Sequence, residues 1–111
     1  MHILEVEYTA ALVKSVAILT GKTTREVTAQ IGAKGVARLM HNAPMNQLLQ
    51  YGRIVGEIIH DYDFHAAKEY DKSALEPDRG YGYYISALVA VRTQDHHAFP
   101  EILYNILTET E

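Results

Sequence analysis

Cysteine and tryptophan are both absent from this chain of 111 residues. Without cysteine the chain can form no disulfide, thiolate nucleophile or cysteine-ligated zinc site, so any metal would have to be held by His, Asp or Glu. The N-terminus also lacks the basic segment of a secretory signal, since no Lys or Arg precedes Lys14. These absences favour a cytoplasmic location.

Long hydrophobic runs are missing as well. No apolar stretch approaches the roughly 20 residues that a membrane-spanning helix needs, so no membrane association is expected. Apolar residues make up 48% of the chain and charged residues 22%, which is close to the globular average and argues against disorder. A chain of this length is expected to fold as one domain over residues 1–111.

Positive charge is scarce, because ten Lys and Arg face fourteen Asp and Glu and leave a net charge of -4. Nucleic-acid binding needs a clustered basic face, and the basic residues here are scattered, so this partner is unlikely on sequence grounds. The segment 25–32 is similar to the first half of a helix-turn-helix. Only three residues separate Gly32 from Val36, which is short for the usual turn.

Three segments carry strand patterns and together predict an α+β fold. Residues His2–Tyr8 and His60–Ala66 alternate between apolar and polar positions, and Tyr81–Thr93 is rich in β-forming side chains. An alternative for the second segment is a helix that continues to Tyr70. We therefore expect an antiparallel sheet of about three strands packed with about four helices.

The first two helices are predicted from their end signals. Apolar residues with helical spacing over Thr9–Leu19 are followed by Gly21, a residue typical of a helix stop. Thr23 and Glu26 have the spacing of a capping box and predict a second helix start. Gly32 and Gly35 each weaken this second helix, which is expected to bend or break near Gly35.

A third helix is predicted over Pro44–Ile59 and a terminal one over Phe99–Leu107. The third helix carries apolar residues on two sides, and its second stripe consists of Tyr51, Ile54 and Ile58. A small core does not easily cover both sides of one helix, so this helix predicts a homo-oligomer.

Arg79, Tyr81 and Tyr83 form the first candidate binding site. They lie in a Gly-spaced segment, where a guanidinium can bind an anion and tyrosine rings can stack while keeping a hydroxyl for hydrogen bonding. An ordinary junction between a loop and a strand explains the same residues equally well. The preferred hypothesis is a binding or regulatory protein that recognises a small anionic ligand, possibly a nucleotide, or a protein partner.

Asp61, Asp63 and His65 form the second candidate. On a strand they would share one face, and two carboxylates beside an imidazole can hold a divalent cation or move a proton. This pattern defines the alternative function, a His/Asp metal-dependent enzyme. The competing interpretation is the solvated face of an amphipathic strand. Asp95, His96 and His97 lie too far along the predicted sheet to complete the same site within one subunit, so only an oligomer could bring the two clusters together.

Overall fold

The computed structural model describes residues 2–69 and 71–109, and these residues fold through helices alone. The α-helices are α1 (Ile3–Thr20), α2 (Thr24–Asn46), α3 (Tyr51–Asp61), α4 (Arg79–Arg92) and α5 (Phe99–Glu109), with short 3₁₀ helices at Lys72–Leu75 and His96–Ala98. No described residue belongs to a β-strand. The expectation of an α+β fold with an antiparallel sheet is therefore wrong.

The predicted first strand, His2–Tyr8, is instead the start of α1. The His2 side chain caps this helix by accepting a hydrogen bond of 3.1 Å from the backbone N–H of Leu4. Val6, Ala10 and Val13 are all fully buried, with the spacing of one helix face. Seven residues are too few to distinguish the helical period of 3.6 residues from the alternation of a strand. Helix α1 packs against each of the other four helices and forms the centre of the core.

The predicted strand Tyr81–Thr93 lies mostly within α4. This helix buries Gly82, Ile85, Ser86 and Val89, which are spaced as one helix face. Its exposed side is also apolar, and a helix that is apolar all round has no amphipathic period to detect. The run of Tyr, Ile and Val residues therefore resembled a buried strand.

The segment after α3 is neither of the two predicted structures. Helix α3 ends at Asp61, and the chain turns through Asp63, which has a left-handed φ of 59°. The buried Phe64 anchors the irregular segment that follows. The predicted strand His60–Ala66 is therefore wrong, and the alternative helix stops well before Tyr70, which lies outside the described residues.

Local signals gave the correct boundary between α1 and α2. Gly21 ends α1 in the left-handed conformation with φ 68°. Thr23 and Glu26 form the expected capping box, with hydrogen bonds of 3.0 and 3.1 Å. The expected break inside α2 lies at Gly32, three residues before Gly35. The φ of 80° and ψ of 166° at Gly32 are rarely open to other residues.

The single helix predicted over Pro44–Ile59 is two elements. Pro44 lies near the end of α2, and α3 begins at Tyr51 after an intervening turn. Ile54 and Ile58 are 1% and 3% exposed, so the stripe expected to meet a partner belongs to the core of its own chain.

Helix α5 confirms the predicted terminal helix. None of the described helices is both long and apolar enough to cross a membrane.

Candidate ligand-binding cleft

A cleft of about 670 Å³ opens between the N-terminal half of α1, the turn that joins α2 to α3, and the start of α4. Twelve residues line it: Leu4, Glu7, Tyr8, Ala11, Gln47, Leu49, Tyr51, Pro77, Arg79, Gly80, Gly82 and Tyr83. Most of these side chains are apolar or aromatic. The charged residues among them are Glu7 and Arg79.

The close approach of α1 and α4 shapes one wall of the cleft. A Cβ atom placed on Gly82 would lie 2.6 Å from the backbone carbonyl oxygen of Glu7. Contacts that short do not occur, so the two helices can pack at this distance only with glycine at the crossing. The Glu7 carboxylate also accepts a hydrogen bond of 3.3 Å from the hydroxyl of Ser86 on α4.

Two tyrosines from distant parts of the sequence meet beside this wall. The rings of Tyr8 and Tyr51 pack edge to face with their centroids 6.1 Å apart. The Tyr51 hydroxyl shares a hydrogen bond of 2.6 Å with the Ser15 hydroxyl, and burial raises the pKa of Tyr51 to about 12. Burial likewise raises the pKa of Tyr8. Both phenols are neutral near pH 7 and present aromatic surface.

An ion pair fixes the start of α4 against α1. The Lys14 ammonium pairs with the Asp78 carboxylate, which also accepts a hydrogen bond of 3.0 Å from the backbone N–H of Tyr81 and so caps the helix. The hydrogen bond from Lys14 holds the pKa of Asp78 below its ordinary value. The Lys14 nitrogen also lies 4.8 Å from the centroid of the Tyr81 ring. Both charges of this pair are therefore already compensated.

The first candidate site is only partly brought together. Arg79 and Tyr83 line the cleft, and Tyr83 is 70% exposed. Tyr81 does not line it, because residues two positions apart on a helix point in nearly opposite directions. On the predicted strand, Tyr81 and Tyr83 would point to the same side, but both lie on α4, so this expectation is wrong. The Arg79 guanidinium forms no hydrogen bond or ion pair with the residues that the structure describes.

The second candidate site does not converge. Asp61 ends α3 and pairs with His60 at 3.2 Å, Asp63 lies in the turn that follows, and His65 is exposed in the irregular segment. Across residues 2–69 and 71–109, no three His, Asp or Glu side chains are placed to hold a metal ion. The shared face expected for these residues required the strand that is missing.

Sequence reasoning missed Glu7, Tyr8 and Tyr51. These residues lie on α1 and α3 and reach the cleft only through helix packing. The available signal was one tyrosine among the apolar residues of each helix, since a buried phenol often places its ring at a wall and its hydroxyl at a polar group. Comparison with family models, curated proteins and solved structures yields no match.

Proposed function

We propose that this protein is a binding module that takes a small amphipathic anion in the cleft, with a largely apolar or aromatic body and a single carboxylate. The observation that carries this proposal is the guanidinium of Arg79, which has no partner among the described residues and lines a cleft whose side chains are mostly apolar or aromatic. The volume of about 670 Å³ lies within the usual range for small-molecule sites.

Two features favour an anion at this position. The Arg79 side chain has no partner among the described residues, so it can give its N–H groups to a carboxylate as a bidentate donor. Arg79 is also the first residue of α4, where the helix dipole adds positive potential. The ligand would complete an electrostatic pair that the protein leaves open.

The balance of charge favours a ligand with one negative charge over a nucleotide. Glu7 lines the same cleft as Arg79 and offsets its charge, and Lys14 is already paired with Asp78. A polyphosphate would have to be bound by one cation beside one carboxylate, which is an unfavourable arrangement for several phosphate charges. The aromatic rings of Tyr8 and Tyr83 suit a flat or branched apolar body.

The alternative of a metal-dependent enzyme centred on Asp61, Asp63 and His65 has no support in the placement of these side chains. An enzyme needs polar groups that meet around the reacting atoms, and these three lie on a helix end, a turn and an exposed segment. We therefore propose binding and not catalysis. A cytoplasmic setting, compatible with the lack of cysteine, is part of this proposal.

Isothermal titration calorimetry with 2-naphthoate and its neutral analogue 2-naphthalenemethanol tests the proposal. The wild type should bind the carboxylate more tightly, and Arg79→Met should lower its affinity by at least about tenfold, since a charged hydrogen bond contributes about 1.5–3 kcal/mol. Affinity for the neutral analogue should be unchanged. Arg25→Met, at an exposed position on α2, is the matched control. The assignment of Arg79 would be refuted if wild type showed no preference for the carboxylate over the neutral probe and Arg79→Met bound both probes as wild type does.

A further inference from the structure

Glu7 supplies the negative charge of the cleft and faces it from α1. Leu4, Glu7 and Ala11 all line the cleft, and they are spaced three and four residues apart, as on one helix face. Glu7 is half-buried. Its carboxylate forms no ion pair with the residues that the structure describes, although Arg79 lines the same cleft. The two opposite charges of the cleft therefore do not neutralise each other by direct contact.

The hydrogen bond from Ser86 leaves most of the acceptor capacity of Glu7 unused. The Ser86 hydroxyl carries a single proton, and it lies 2.8 Å from the backbone carbonyl oxygen of Tyr83 but 3.3 Å from the Glu7 carboxylate. The shorter contact to Tyr83 takes the larger share of that proton. No other described residue donates a hydrogen bond to the Glu7 carboxylate. A half-buried carboxylate is also partly shielded from water, so Glu7 lacks donors on the side of the cleft.

The two charges lie at different places along one face of α4. Ser86, which contacts the Glu7 carboxylate, comes two helical turns after Arg79, and residues with this spacing lie on the same helix face. With a rise of about 1.5 Å per residue, the two positions are about 10 Å apart along the helix. A ligand whose carboxylate meets Arg79 therefore has the far end of its body near Glu7.

We propose that Glu7 selects ligands that carry an O–H or N–H donor at the end opposite their carboxylate. Such a ligand gives its donor hydrogen bond to Glu7 while Arg79 binds the carboxylate. This selection rests on the proposed function, because the position of the carboxylate is set by Arg79, and it adds the residue that recognises the other end. A ligand without the donor removes water from Glu7 without replacing the lost hydrogen bonds, which weakens binding.

Isothermal titration calorimetry with two matched probes, 6-hydroxy-2-naphthoate and 6-methoxy-2-naphthoate, tests this role of Glu7. Both probes carry the carboxylate and the same ring system, but only the hydroxy probe has a donor at the far end. Wild type should bind the hydroxy probe about tenfold more tightly, because a hydrogen bond to a charged group contributes a factor of that size. This comparison needs no substitution in the protein.

Three variants assign the preference to Glu7. Glu7→Gln keeps the size of the side chain and an acceptor for Ser86 but removes the charge, so the preference for the hydroxy probe should fall to about threefold. Glu101→Gln, at an exposed position on α5, should keep the full preference. Arg79→Met should weaken the binding of both probes by similar factors and leave the ratio of their affinities unchanged.

Failure of this selection is distinguishable from failure of the proposed function. Equal affinity of wild type for the two probes, or the same preference in wild type and Glu7→Gln, would overturn the role of Glu7. The proposed function would stand in that case if 2-naphthoate still bound through Arg79. If wild type bound none of the three naphthoates, the proposed function and the role of Glu7 would both be overturned.

Discussion

Tyr51 shows how single side chains support the wall of the cleft. Its hydroxyl is hydrogen-bonded to Ser15 on α1, its ring packs edge to face with that of Tyr8, and burial raises its pKa to about 12. The neighbouring Tyr8 hydroxyl is buried and makes no hydrogen bond with the residues that the structure describes. The aromatic pair thus contributes mainly apolar surface to the cleft, and Ser15 satisfies one of its two hydroxyls.

The raised pKa of Tyr51 predicts a loss of stability at alkaline pH. The unfolded chain loses this phenolic proton near the ordinary pKa of 10.0, whereas the folded chain keeps it until about pH 12. The unfolded state therefore binds fewer protons in this window, and the free energy of unfolding falls as pH rises from 10 to 12. The loss from this group is about 2 kcal/mol.

Urea denaturation at several pH values measures this dependence. Tyr51→Phe should be less stable than wild type at neutral pH, because it loses the hydrogen bond to Ser15. It should also lose less stability than wild type between pH 10 and 12. Tyr84→Phe, at an exposed position, should follow the wild type. A parallel decline in wild type and Tyr51→Phe would exclude Tyr51 as the source.

At the scale of elements, the crossing of α1 and α4 depends on Gly82. Alanine is favoured over glycine inside a helix by about 1 kcal/mol. At Gly82, however, the added Cβ would lie 2.6 Å from the backbone oxygen of Glu7, where no flexible side chain can move away. Overpacking of this kind costs about 1–3 kcal/mol and outweighs the propensity gain. Gly82→Ala should therefore destabilise the protein and shift α4 at the cleft wall.

Gly56→Ala is the matched control, because Gly56 lies within α3 and a Cβ there would meet no atom within 4 Å. This variant should gain stability by up to about 1 kcal/mol. Thermal melts beside wild type should show a lower melting temperature for Gly82→Ala and a higher one for Gly56→Ala. A stabilised Gly82→Ala would show that the helices can separate without cost.

The elements that the sequence predicted correctly are those with local end signals. The stop at Gly21, the capping box of Thr23 and Glu26, and the terminal helix each depend on interactions within a few residues. Helix α4 was misread as a strand because it carries apolar residues both on the side that lies in the core and on the side that is exposed to solvent. A helix that is apolar on both sides has no amphipathic period to detect.

The candidate site was predictable only where it lies in one segment. Arg79 and Tyr83 were identified because a cation and aromatic rings stand close together in the sequence. Tyr8 and Tyr51 are 43 residues apart, and only the packing of α1 and α3 brings them together. Neither the local sequence around Tyr8 nor that around Tyr51 indicates such a contact.

At the scale of the whole molecule, the net charge opposes the proposed ligand. A charge of -4 repels anions at long range, so an anion must bind through the local field of Arg79 and the start of α4. Specific binding at the cleft therefore differs from general attraction to a basic surface.

A titration followed by ¹H–¹⁵N correlation spectra tests the central claim most directly. With 2-naphthoate, the ring current of the probe should shift backbone amides of residues 4–11, 47–51 and 79–83, which surround the cleft. Amides of α5, which lies outside the cleft lining, serve as the internal control. Shifts confined to the three cleft segments and much reduced in Arg79→Met are the predicted result. Shifts centred on α5, or no saturable shift at all, would contradict the account.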